Sequence, residues 1–333
     1  MNRGRFRETV FLLLAGALGG CVHQPLLSEK LPADFDRSVW VLEDIPFFPQ
    51  ADYQCGPAAL ASLLNASGVN TLPDALAPKV YIPAKSGSLQ VELLAAARRV
   101  GRMPYVIDPD LSSLLAELVT GRPVLVLQNL GWQRFPVWHY AVVVGFDAVG
   151  EELIVHSGRT ERLRISARKF VRTWRLGGYW GLVVLNAGEF PNDADPQRYL
   201  EAASAMERHA NTALVETFFA EALLRWPDNT LAKLGLANSY LTQGRGLQAE
   251  HLYRELLNAN PGYVAARNNL AQSLMQRGCT AAARTELQRA RDADRKSGGR
   301  YAPILAETAH ELSAVEGKRR DRICVEASAG AAL

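Results

Sequence analysis

The stretch Gln50-Ala51-Asp52-Tyr53-Gln54-Cys55-Gly56-Pro57-Ala58-Ala59-Leu60 governs the reading of the whole chain. It passes from a polar loop into a run of small and apolar residues, Ala58 to Leu64, that reads as helix. Pro57 suits a first helical turn, where its missing N–H would have had no partner anyway. Cys55 therefore stands at the amino end of a helix. The positive end of the helix dipole favours an anion there, which suits a nucleophilic thiolate. What the chain must then supply is a base, an oxyanion donor and a place for substrate.

The base candidate is His139. It opens the clearest strand in the sequence, His139-Tyr140-Ala141-Val142-Val143-Val144-Gly145-Phe146. A cysteine at a helix start and a histidine on a distant strand, adjacent only in the folded protein, is the pattern of thiol peptidases. Around these two residues the sequence alternates helix and strand signals. Val39–Leu42 reads as a strand and Ser88–Val100 as a helix stopped by Gly101. Met103–Ile107 is strand, Leu111–Val119 helix and Pro123–Gln128 a buried strand. Glu152–His156 and Arg162–Ile165 continue a meander with turns at 148–150 and 158–160. Lys169–Thr173 is a short helix and Trp180–Leu185 closes the set. Helices first and an antiparallel sheet after them is an α+β arrangement.

The totals exclude several classes. A chain of 333 residues allows two or three domains, and its net charge of +3 is spread without a basic block, so nucleic-acid binding is not expected. The four cysteines, Cys21, Cys55, Cys279 and Cys324, include no CxxC pair, so no metal site is expected, and no cofactor motif is present.

Taken in order, the residues resemble the papain-like cysteine peptidases of the double-glycine-leader, bacteriocin-processing family. Gln50 matches the oxyanion-hole glutamine of that family. Cys55-Gly56-Pro57-Ala58-Ala59-Leu60 matches its nucleophile segment, and Gly87-Ser88-Leu89 with Leu93, Ala96, Ala97 and Gly101 its following helix. Pro123-Val124-Leu125 and His139-Tyr140-Ala141-Val142-Val143 match its histidine region. The resemblance implies a papain-like α+β domain over residues 39–186 that performs acyl transfer, with Cys55 as nucleophile, His139 as base and Gln50 in the oxyanion hole.

In one place the chain departs from the family, which has Asp or Asn on the next strand to orient the imidazole. Here Leu153-Ile154-Val155-His156-Ser157-Gly158 has no acid. One hairpin register puts His156 on the face of His139, the other Ser157. Ser157 is preferred because a hydroxyl can accept an imidazole N–H. Asp147, at the far end of the strand, lies about 27 Å away and is out of reach. Trp132, Trp138 and Tyr53 could line substrate subsites or pack at the rim.

Residues 1–20 resemble an export signal. Arg3, Arg5 and Arg7 precede the apolar run Val10–Ala17, which is too short to span a bilayer. Leu18-Gly19-Gly20-Cys21 resembles the lipobox of bacterial lipoproteins, which implies acylation of Cys21. Val22, rather than Asp, after that cysteine implies the outer membrane, facing the periplasm. Residues 21–38, with Pro25 and Pro32, read as a tether.

Beyond a turn-rich linker at 187–196, the pattern becomes helical with a fixed period. Pro227 and Pro261 stand one period of 34 residues apart. Leu236, Ala237, Ala249 and Tyr253 recur as Leu270, Ala271, Ala283 and Leu287. This resembles the tetratricopeptide repeat, a helix-turn-helix unit of that length. Residues 197–316 are thus expected to form an all-α repeat domain with a terminal capping helix, and 317–333 a tail. Such arrays bind peptides or partner proteins, and Asn238 and Asn269 are candidates for holding an extended chain. Cys279 and Cys324 could pair after export, or Cys279 could be a free buried thiol.

Two functions fit these features. One is a membrane-anchored cysteine peptidase acting on a peptide or protein, with repeats that bring the substrate or a partner. The other is a papain-like scaffold that has lost efficient catalysis, which the missing acid would favour.

Overall fold

The computed structural model describes residues 25–49 and 55–316. Gln50, Tyr53, Cys21 and Cys324, together with the export-signal and tail assignments, fall outside them. The chain begins with strand β1 (Val39–Val41), helix α1 (Cys55–Ala66) and helix α2 (Pro73–Val80). A two-stranded hairpin, β2 (Tyr81–Ile82) and β3 (Gly87–Ser88), leads into α3 (Gln90–Arg99). There follow β4 (Met103–Val106), α4 (Leu111–Val119), β5 (Val124–Asn129), β6 (Trp138–Asp147), β7 (Glu152–Ser157) and β8 (Thr160–Ser166). Helix α5 (Ala167–Leu176) and β9 (Gly181–Leu185) complete the α+β region.

Among the described residues the main sheet has seven strands, in the order β4-β9-β5-β6-β7-β8, with β1 also against β6. All its pairings are antiparallel. The alternation of side chains separates two apolar faces. Leu125, Leu127, Tyr140, Val142, Val144 and Ile154 pack with α1, α2 and α3. Val124, Val126, Ala141, Val143, Leu153 and Val155 pack with α4 and α5. Both faces being covered explains why β5 and β6 read as unbroken apolar runs rather than as alternating ones.

The second region is a stack of antiparallel helices: α6 (Pro196–Ser204), α7 (Thr212–Arg225), α8 (Thr230–Thr242), α9 (Gly246–Ala259), α10 (Val264–Gln276), α11 (Thr280–Lys296) and α12 (Ala302–Glu316). Asp195, Asn211 and Asn229 cap α6, α7 and α8 by accepting first-turn N–H groups. The recurring Leu236/Leu270, Ala237/Ala271, Ala249/Ala283 and Tyr253/Leu287 are all buried. Small residues let the paired helices approach, and the larger ones fill between them.

The structure corrects two assignments. Residues 21–38 are not a free tether throughout: Leu27 is fully buried, and Leu26 and Phe35 pack on the sheet. The Leu26 and Leu27 N–H groups donate to the Glu151 carboxylate at 2.9 and 3.0 Å. Nor is 187–196 a loose linker. Phe190 stacks on Tyr199 at 4.5 Å with Trp226 edge-on, and the Asn192 N–H donates to the buried Glu117. The core on the α4/α5 face continues through Tyr199 and Phe218 to Leu236, so α6, α7 and the start of α8 share an apolar interior with the sheet, while the later helices pack around a core of their own. A few apolar residues among turn formers were enough to fasten both segments, because each buried aromatic or leucine contributes about 1.5–3 kcal/mol.

Candidate active site

Cys55 is the first residue of α1 and is half-buried. The next residue, Gly56, lies so close to the hairpin before α3 that a Cβ there would fall 2.4 Å from Ser88 Oγ. Only glycine permits that approach. Strand β6 passes beside the same point. The Tyr140 hydroxyl donates to the Ser88 carbonyl at 3.2 Å. Burial, and secondly the neighbouring Cys55 sulfur, push the Tyr140 phenol above the usual tyrosine range. Among the described residues, Ser88 and Tyr140 are therefore gathered around Cys55, and the Ser88 Oγ is buried with no hydrogen-bond partner there. In the sequence both lay inside matched motifs, but their meeting needed the sheet.

His139 sits one residue before Tyr140 on β6. Its Nε2 is 2.8 Å from Ser157 Oγ on β7. Among the described residues Ser157 is the one hydrogen-bond partner of this ring, and no hydrogen bond links Cys55 directly to His139. Burial lowers the His139 pKa, so the neutral imidazole is favoured.

The pairing of His139 with Ser157 depends on a bulge. From Asp147↔Glu152 to Gly145↔Ile154 the β6–β7 ladder keeps one register, and beyond the irregularity it continues as Val143↔Val155 and Val142↔His156. Extended unbroken, the first register would set His156 on the face of His139. The extra residue, Val144, exchanges it for Ser157. Val144 is held there by β1, because its carbonyl accepts from the Leu42 N–H at 2.8 Å. Gly145 makes room for β1, since a Cβ there would fall 2.3 Å from the Trp40 carbonyl oxygen.

His156 is accordingly committed elsewhere. It is buried, its Nε2–H donates to the Ile45 carbonyl at 3.1 Å, and its Nδ1 accepts from the Arg162 N–H at 3.2 Å. The Phe47 ring lies against it at 5.3 Å. Its pKa is lowered, chiefly by burial.

In the helical region, Asn238 and Asn269 bind each other. The Asn238 Oδ1 accepts from Asn269 Nδ2 and from the Tyr253 hydroxyl, both at 2.8 Å. A groove between α8, α10 and α12 is lined by Leu241, Thr242, Gln272, Met275, Gln276 and Glu311. Cys279 is buried and disulfide-bonded. Trp132 and Trp138 are exposed at 77% and 56%.

Residues 42–179 match the profile of the Peptidase_C39 like family, and residues 240–307 match a tetratricopeptide repeat profile. No curated protein matches the chain. Among solved structures, it is similar to a protein described as a C39-like peptidase from Bacillus anthracis, at 17% identity and a TM-score of 0.39, over 45% of this chain and 98% of the other. It is also similar to the peptidase domain of Streptococcus ComA, a bi-functional ABC transporter in a quorum-sensing pathway, at 23% identity and a TM-score of 0.35, over 42% and 97%. A third is a double glycine motif protease from an AMS/PCAT transporter in complex with the leader peptide, at 18% identity and a TM-score of 0.33, over 44% and 93%.

Proposed function

Given a chain that joins a C39-like peptidase domain to tetratricopeptide repeats, we propose that it is a cysteine peptidase that cleaves a peptide or protein. Cys55 is the nucleophile, His139 the base, and Ser157 the group that holds the imidazole. The observation that carries this reading is the 2.8 Å contact between His139 Nε2 and Ser157 Oγ, on the strand that passes beside the Cys55 helix. With Nε2–H donated to the hydroxyl, Nδ1 is the nitrogen left to take a proton.

In the proposed reaction the Cys55 proton moves to His139 and the thiolate adds to the peptide carbonyl carbon. The Cys55 N–H and Gln50 stabilise the oxyanion, a contribution of about 3–4 kcal/mol where a single such donor has been removed elsewhere. The C–N bond breaks, and the departing amine takes the proton from the imidazolium. Water, deprotonated by His139, then cleaves the thioester and restores the thiol. We further propose that Cys21 is acylated, anchoring the enzyme to the outer membrane on its periplasmic side. The repeats then bring a substrate or partner protein to it.

A second reading, a scaffold without vigorous catalysis, is favoured by one observation: a neutral hydroxyl stands where an acid would hold the imidazole. Labelling separates the two. A peptidyl thiol-reactive probe is applied to the chain from Val22, to Cys55→Ala and to His139→Ala. An enzyme labels at Cys55 and loses most of its rate without His139. A scaffold labels at the same rate with or without it.

A further inference from the structure

We infer that the β5–β6 hairpin and the carboxy end of α5 form a docking surface for an anionic phospholipid membrane. Leu130, Trp132, Phe135, Val137 and Trp138 are exposed by 51–77% within nine residues. The loop that carries them is firmly built. Trp132 and Phe135 exchange backbone hydrogen bonds at 3.1 Å, and the Leu130 N–H donates to the Val137 carbonyl at 2.9 Å. The buried Asn129 side chain accepts from the Gly131 and Val137 N–H groups at 3.0 and 2.9 Å. A rigid tip that holds two tryptophans and a phenylalanine in solvent is an apolar patch with a purpose. Small-ligand sites are concave, whereas this one projects, and aromatic rings on a projecting tip suit the interfacial layer of a bilayer.

The charge around the tip independently points the same way. Helix α5 ends directly behind the root of the hairpin: the Gln128 Nε2–H donates to Thr173 Oγ1 at 2.7 Å, and Gly177 packs on the Leu127 carbonyl. Its exposed Arg172 and Arg175 make no ion pair among the described residues. Residues 167–179 contain no acid, and Arg134 lies at the turn of the hairpin itself. An apolar tip beside cations is the combination that binds anionic lipid. Because the hairpin runs straight into Trp138 and His139, docking would set the candidate site at the lipid surface. The inference does not depend on acylation of Cys21 or on catalysis.

The test is flotation of the chain from Val22, which keeps every described element and has no acylation site at residue 21. Vesicles of phosphatidylcholine alone are compared with vesicles containing phosphatidylglycerol. Binding to the anionic vesicles, weakened by salt, is expected. Trp132→Ser with Phe135→Ser should abolish it, and Arg172→Gln with Arg175→Gln should lower the partition coefficient about fivefold per cation removed. All four side chains are exposed, so an unchanged melting temperature checks the fold. No flotation of the folded chain at low salt would overturn the inference, as would flotation indifferent to both pairs of substitutions. A dimer in sedimentation that is lost in the Trp132/Phe135 variant would assign the tip to a second copy. Saturable binding of apolar peptides to Cys55→Ala, lost in that variant without any flotation, would assign it to substrate.

Discussion

His139 and Ser157 lie 2.8 Å apart, nitrogen to oxygen, although the ladder between their strands begins in a register that would have turned Ser157 to the opposite face of the sheet. The strand slips by one residue at Val144, and the Ser157 hydroxyl thereby comes to the face that carries the ring.

Removing that hydroxyl, in Ser157→Ala, should lower the rate of probe labelling at Cys55 about tenfold, since an orienting contact is lost while the proposed nucleophile and base remain. Ser157→Asp should do the opposite. A carboxylate beside the ring favours its charged form and raises the imidazole pKa. Burial holds the native His139 below the ordinary histidine value of 6.5, so the neutral base persists to lower pH. The acidic limb of the labelling profile is therefore expected below pH 6.5 in the native chain and at higher pH in Ser157→Asp.

Gly145→Val should destabilise the chain by about 3 kcal/mol or more, because the new Cβ would collide with the Trp40 carbonyl and drive β1 from β6. Denaturant unfolding measures that loss. The same variant should also slow Cys55 labelling, since β1 holds the bulge that positions Ser157.

His156 gives stability a pH dependence. Its folded pKa lies below the unfolded value near 6.5, so between the two values the unfolded chain binds more protons. Stability therefore rises as pH increases through this window. It is complete above the unfolded value and is lost as pH falls toward the folded one. His156→Gln keeps a donor and an acceptor but does not titrate. Melting temperatures from pH 5 to pH 7 should show a shallower slope in this variant.

Phe190→Ala should loosen the joint between the two regions. The ring stacks on Tyr199, and the Arg225 guanidinium lies 4.7 Å from its centre. Its loss should cost about 2–3 kcal/mol and divide a single calorimetric transition into two.

Most elements were legible because their causes are local. Leu111–Val119 was bounded as found, since Asp110 caps it and Gly121 follows it. β6 was found to within one residue at either end, because ten residues of extended, mostly apolar chain have few other uses. Helix α2 went unread: eight residues with an internal Pro78 carry little periodicity. The packed segments at 26–35 and 187–196 read as tether and linker because neither carries a helix or strand period: Pro32 and charged residues interrupt the apolar anchors of the first, and turn formers outnumber those of the second.

The helix that begins at Cys55, the strand that begins near His139 and the period of the repeats follow from the order of residues alone, since dipole, apolar run and spacing are all properties of near neighbours in the chain. That order left two residues open as the partner of His139, because side-chain direction in a strand reverses with each one-residue shift. Only the tertiary structure chose Ser157, through a bulge held by β1 against Gly145. It also gathered Ser88 and Tyr140 around Cys55, which no local pattern could do across such separations in the chain. Asn238 and Asn269 show the same division: each is a polar residue on a helix, and only the stacking of α8 on α10 turned them toward one another.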